Sequence, residues 1–350
     1  MEKSGEAAKE VVPLDDYLKI SDLKFKATKN MVDKISFWAQ NQRSYRAAQD
    51  TLRREEIGIN ISFEQIRNIA MYCGELINNH DQKQSDNIDE NLEKIPETPS
   101  KEGVLYAMAD GSMLHTMLEF ETKFDWHEVK IGMFFTDNDL KLGSDGEKHI
   151  IPKKEFSVCT KDITEFKKLF LEAAIRNGYG NYEKMVIIAD GAAWIKKMKE
   201  DFFPDAIQIL DFFHLAENIY NAAKFIFHDD ESKYVKFAET IIDLIRNSRT
   251  QEALDLLSEY KDMQFGNGVL NPYTYVLNHL ENIDYAAYRK AGYLIGSGPI
   301  ESANKVVVQR RCKQAGMHWK SENAQRMLNL TSKWESGLWE TLVPQLLAAA

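Results

Sequence analysis

A mixed α/β fold is predicted here, a sheet flanked by helices with an all-helical insertion and a helical region ahead of it. Three observations carry the prediction. Apolar runs of strand length are confined to the stretch between residues 104 and 210. Helical spacing of apolar residues rules before and after that stretch. A polar, acidic, proline-punctuated segment, 79–102, separates the first helical part from the rest as a linker would.

Residues 12–78 read as helical throughout. Segments 44–56 and 61–77 carry apolar residues at helical spacing on either side of Gly58-Ile59-Asn60, and Ser62 with Gln65 makes a capping-box pattern. The pair is either a helix-turn-helix module or a plain helical hairpin. Strands are predicted over 104–110, 126–136 and 155–160, followed by a helix over 162–177 that Gly178 ends. A strand closing at Asp190, a short helix near 194–203 and a last strand over 206–210 complete the series. Three strands, helix, strand, helix, strand is the element order of a ribonuclease-H-like sheet, in which acids at the first and fourth strand ends lie side by side. From 214 to 291 only amphipathic helices are visible, at 214–227, 232–247, 250–262 and 272–281, which marks an insertion. The sheet domain is therefore 103–213 plus 292–335, the second part helical at 299–311 and 321–334, with 336–350 a C-terminal helix or tail.

Bulk properties narrow the function. At 350 residues, 44% of them hydrophobic, the chain can bury sizeable cores in two or three domains. It has no apolar run long enough to span a bilayer and no signal-peptide pattern at Met1, so a cytoplasmic protein is expected. Cys73, Cys159 and Cys312 form no C-x-x-C pair, which argues against a disulfide framework or a cysteine zinc site. The net charge of −10 argues against indiscriminate coating of nucleic acid. Its distribution matters more. Residues 24–54 hold eight Lys or Arg against Asp33 and Asp50, and 301–320 hold five against Glu301 alone. Such islands are either phosphate-contacting patches or solvated helix faces.

Three carboxylates sit in glycine-marked contexts: Asp110 in Ala109-Asp110-Gly111-Ser112, Asp190 in Ile188-Ala189-Asp190-Gly191, and Glu301 in Gly298-Pro299-Ile300-Glu301. The first two close buried apolar runs and the third opens a helix. Two strand-end aspartates and a helix-borne glutamate are the parts needed to hold two Mg²⁺ (or Mn²⁺) ions for in-line chemistry on phosphodiesters. Asp211 and His214, three residues apart at a strand-to-helix junction, are accessory: either a helix cap with a packed histidine, or a pair that shapes the site. Lys305, Arg310, Arg311 and Lys313 follow Glu301 closely enough to grip DNA phosphates beside it. Trp194 and Trp319 either stack on splayed bases or belong to the core.

The string Gly296-Ser297-Gly298-Pro299-Ile300-Glu301-Ser302-Ala303, running on through Arg310-Arg311-Cys312-Lys313-Gln314-Ala315-Gly316-Met317-His318-Trp319, resembles the C-terminal signature of bacterial insertion-sequence transposases of the Kra and Lre types. Asp190-Gly191-Ala192-Ala193-Trp194-Ile195 and Leu210-Asp211-Phe212-Phe213-His214 also match that family, so the resemblance covers about residues 104–340. It implies a ribonuclease-H-like DDE transposase with Asp110, Asp190 and Glu301 as its catalytic triad, and an Asp-x-x-His motif at Asp211 and His214 that does not ligate the metals. The expected enzyme binds double-stranded DNA, both element ends and target. It works as a dimer or larger assembly, since two ends must be synapsed, and it associates with the nucleoid when bound. A ribonuclease-H-like nuclease, or a non-catalytic DNA-binding remnant that regulates a full-length relative, are the alternatives.

Overall fold

In a computed structural model the described residues are 17, 25–54, 59–142, 149–228, 230–266 and 268–350. Gly58, and most of the segment expected to be helical between 12 and 24, lie outside them.

The five main strands are β1 (Lys101–Met117), β2 (Asp125–Thr136), β3 (Glu155–Cys159), β4 (Tyr182–Ala189) and β5 (Ile207–Leu210). They form one sheet in the order β3-β2-β1-β4-β5. The β1–β2 and β2–β3 pairs are antiparallel, and the β1–β4 and β4–β5 pairs are parallel. This is the ribonuclease-H-like arrangement expected from the element order. A sixth strand, β6 (Trp319–Lys320), pairs in parallel with the far end of β1 at Thr116 and Met117. The first strand is longer than the predicted 104–110. Its pairing with β4 ends at Met108 and Ile188, but pairing with β2 carries it on through Thr116. Asp110 therefore lies inside a strand, at the point where one neighbour leaves it.

Strand alternation divides the interior in two. Leu105, Ala107, Ala109, Ile187 and Ala189 point to one face, where they pack with Phe166 and Phe170 of helix 163–176 and Ile195 and Met198 of helix 193–202. Tyr106, Met108, Val186 and Ile188 point to the other face. There they join the larger core, which includes Leu215, Ile300, Ala303 and the N- and C-terminal helices. By the same alternation Asp110 and Asp190 belong to this second face.

The helices in chain order are α1 (Lys29–Asn41), α2 (Tyr45–Arg54), α3 (Phe63–Asp86), α4 (Ile88–Glu93), α5 (Ile163–Arg176), α6 (Ala193–Phe202), α7 (Phe212–Phe227), α8 (Glu231–Arg246), α9 (Thr250–Leu257), α10 (Pro272–Asn278), α11 (Tyr285–Lys290), α12 (Gly298–Ala303), α13 (Ser321–Glu335) and α14 (Trp339–Ala349). The capping box at Ser62 and Gln65 forms as expected, and Asp162 caps α5. The predicted linker is different: residues 79–86 continue α3, and α4 follows it. Tertiary packing explains the extension. Asp81 of α3 pairs with buried Lys333 of α13 at 2.8 Å, and Asn91 of α4 donates to Glu172 of α5. Gly74 lets α3 approach α13 so closely that a Cβ there would lie 2.3 Å from the Arg326 carbonyl oxygen. The three cysteines are free and buried, and serve as small core hydrophobes.

Candidate functional site

Parallel register brings the two aspartates together. Met108 pairs with Ile188, and Asp110 and Asp190 lie two residues further along their respective chains. Adjacent strands run about 4.8 Å apart, so both carboxylates leave the same edge on the same face. Asp110 is half-buried and accepts from the Gly111 N–H at 2.7 Å and from the Asn304 amide. Burial and the neighbouring Asp190 charge hold its pKa above the usual carboxylate range, against the opposing hydrogen bond from Gly111. Asp190 accepts from the Ala192 N–H at 3.0 Å. The turn after it needs glycine, because Gly191 has φ +86° and a Cβ there would meet His279 and Leu210 at 2.8 Å. His279, which follows α10, thus brings the helical insertion against the loop that follows the second aspartate.

Glu301 lies in the exposed first turn of α12, and Asp211 and His214 come from the β5–α7 junction. Asp211 is completely buried and fully bonded: it accepts from the Phe213 N–H at 2.9 Å, from His214 Nδ1 at 2.6 Å and from the Ser297 hydroxyl. Both a cap and a positioning residue are present in one side chain. With Nδ1 committed to Asp211, Nε2 is the nitrogen left to face outward. The bond to Asp211, then the charges of Asp190 and Glu301, push the His214 pKa up to about 9 despite burial.

Among the described residues, the group whose ligand atoms all lie within 4.8 Å of one another is Asp211, His214 and Glu301, not Asp110, Asp190 and Glu301. The predicted trio thus comes in two parts, Asp110 beside Asp190 and Glu301 beside His214. His214 lies between them, in the field of both Asp190 and Glu301. Asp110 and Asp190 are each anchored by their own backbone hydrogen bonds, and like charges without a shared counter-ion do not close on one another.

Sequence reasoning missed Asn304, which binds Asp110 from one turn beyond Glu301; its i+3 spacing from Glu301 was the available signal. Asn304 also opens a π-helical stretch, Asn304–Gln309, a feature frequent at functional sites. Its Oδ1 is buried without a partner.

The expected DNA-contacting residues separate. Lys305 and Lys313 are exposed, and Lys313 sits 5.7 Å over the ring of Trp126, itself 54% exposed. Arg310 is held by Glu335 at 2.9 Å. Arg311 is buried and does not face outward beside Lys305 and Lys313. Trp194 packs edge-on to Phe166 in the core on the opposite face of the sheet, and buried Trp319 donates its Nε1–H to the Cys312 carbonyl at 3.1 Å. Trp319 is taken up in filling the interior, and Trp194 is half-buried against the helices on the face away from the aspartates. Trp126, on β2, is the exposed tryptophan nearest in kind to what was expected of them.

No helix among the described residues is long and apolar enough to cross a membrane. No curated protein matches the chain. The chain belongs to the uncharacterised protein family UPF0236, whose profile matches residues 3–339.

Proposed function

For a member of that family carrying this sheet, we propose a DNA transposase that cuts the ends of its own element and joins the freed 3′-OH to target DNA. The observation that carries the reading is the register of β1 and β4, which sets Asp110 and Asp190 side by side on the face that also bears Glu301 and His214. That arrangement suits a hard divalent cation. Asp110 is a buried carboxylate raised by desolvation and by a second acid, a state that a nearby cation relieves, and Asn304 Oδ1 is an unpartnered buried acceptor beside it. Asp110, Asp190 and Glu301 would hold two Mg²⁺ or Mn²⁺ ions. Bound there, the metal pair supplies activation of the attacking oxygen and stabilisation of the leaving one.

The chain's own groups do the positioning. Asn304 fixes one carboxylate oxygen of Asp110 and leaves the other to Gly111 and the site. Asp211, itself held by the Ser297 hydroxyl, keeps the His214 imidazole in one orientation, so its Nε2–H can donate to a phosphate oxygen. Exposed Lys305 and Lys313 add positive charge for the approaching backbone.

Purified protein incubated with labelled element-end DNA and Mg²⁺ or Mn²⁺ should yield both cleaved and strand-transferred products. Asp110→Asn, Asp190→Asn and Glu301→Gln should each abolish them while leaving DNA binding in place. Cleavage without strand transfer would indicate a nuclease, and binding without metal-dependent products a regulatory remnant. Undiminished cleavage in any one variant removes that residue from the triad.

A further inference from the structure

Arg311 is 1% exposed, yet no carboxylate among the described residues pairs with it. Its Nε–H donates to the Ala39 carbonyl at 2.9 Å, while Nη1 and Nη2 are buried, with the Tyr45 hydroxyl close by but no hydrogen bond of good geometry. The guanidinium is sandwiched between two rings, its carbon 4.6 Å from the Tyr45 centroid and 5.3 Å from that of Trp319. Cation–π contact on both faces offsets part of the desolvation cost but leaves the edge donors unanswered. Burying a charge with one hydrogen bond and no counter-ion is costly, and native structures rarely retain it without a use.

That guanidinium lines a recess of about 270 Å³ between α2, α3 and β6. Arg67 and Lys320, both exposed, stand at it with no carboxylate partner among the described residues, and His318 and Asn323 add further polar atoms. No acid lines it. Both Arg311 and Arg67 act on the Tyr45 hydroxyl, so two guanidinium groups converge on one phenol, whose pKa burial still pushes up to about 12. We propose that this recess, formed by Arg311, Arg67 and Lys320, is a phosphate-binding site that takes a backbone phosphate of DNA.

Its place in the fold fits that occupant. Trp319 pairs with Thr116, six residues along β1 from Asp110. At about 3.3 Å per residue the recess lies roughly 20 Å from the aspartates, the axial rise of about six base pairs. One duplex can therefore touch both. The choice of DNA as the source rests on the transposase reading; the affinity for phosphate does not.

Two measurements on the full chain test it. First, thermal unfolding is followed against inorganic phosphate at constant ionic strength, for wild type and the exposed double variant Arg67→Ala/Lys320→Ala. Phosphate should raise the wild-type midpoint and leave the double variant unmoved, since a ligand stabilises only the state that binds it. Second, binding of an end-sequence duplex is measured against salt. Loss of two phosphate-facing cations should weaken binding and reduce the log–log salt slope by about two, at any DNA sequence. Asp110→Asn should keep the wild-type slope. Arg311→Lys, which keeps the charge but loses the fork, serves as a folded check and should lose most of the phosphate effect. Equal phosphate stabilisation of wild type and double variant, or none in either, would overturn the site and leave Arg311 a purely structural cation. A phosphate effect confined to wild type, with identical salt slopes, would overturn DNA as the occupant, whatever becomes of the catalytic triad.

Discussion

Two carboxylates of this molecule, Asp110 and Asp81, are both taken out of water, and their pKa values move in opposite directions. At the edge of the sheet, Asp110 has Asp190 for its neighbour, and burial with that second charge raises it. Behind the sheet, burial pushes Asp81 the same way, but Lys333 and the hydrogen bond from His80 overcome it and hold the carboxyl at about 2. Around Asp81 every acid has a basic partner: Arg176 pairs with Glu172 at 3.1 Å and with Glu155, and Lys333, almost fully covered, pairs with Asp81. The comparison separates two uses of buried charge. A region that only has to hold helices to the sheet matches each acid with a base. At the sheet edge three acids, Asp110, Asp190 and Glu301, have only the His214 imidazole to answer them, an imbalance that suits the added cation proposed above.

Breaking that contrast should produce effects of very different kinds. The largest is at the sheet edge. Asp110→Asn should take metal-dependent DNA cleavage below detection while the unfolding midpoint stays level or rises, because a like-charge contact has been relieved; a large loss of stability would mean that Asp110 is structural. Behind the sheet the reverse is expected. Lys333→Met leaves Asp81 with only His80 beside it, and chemical denaturation should show a loss of about 3 kcal/mol with the proposed active site untouched.

The acid limb of the stability curve sharpens the same point. The folded pKa of Asp81 is depressed, so its contribution is complete above its unfolded value near 4 and is lost as pH falls toward about 2. Wild type should lose about 2 kcal/mol across that window by this group, and Asp81→Asn should lack that part of the dependence. The smallest effect concerns Asn304. Asn304→Ala removes a hydrogen bond that orients Asp110, and cleavage should then require roughly tenfold more Mg²⁺. An unchanged metal requirement would reduce Asn304 to a helix residue that happens to touch the site.

Much of this was legible before any coordinates. Apolar runs located the strands, the Ser62 and Gln65 pattern located one helix start, and the order of elements was enough for the sheet. What escaped has a common character. The segment after residue 78 reads as a linker because its composition is polar, but Asp81 and Asn91 find partners on α13 and α5 that lie far away in sequence. Arg311 and Trp319 look like surface residues beside Glu301 because basic and aromatic residues follow it, whereas the fold stacks the two against each other beneath the surface.

The sequence by itself determined which acids were candidates, since an apolar run, an aspartate and a glycine are local facts with local consequences for strand and turn. Only the tertiary structure decided how those acids stand to one another. Parallel pairing of β1 with β4 puts Asp110 beside Asp190, while the chain path through α7 to α12 puts Glu301 beside His214. Distances of that kind depend on which strands pair and which helices pack, and no residue carries that information alone.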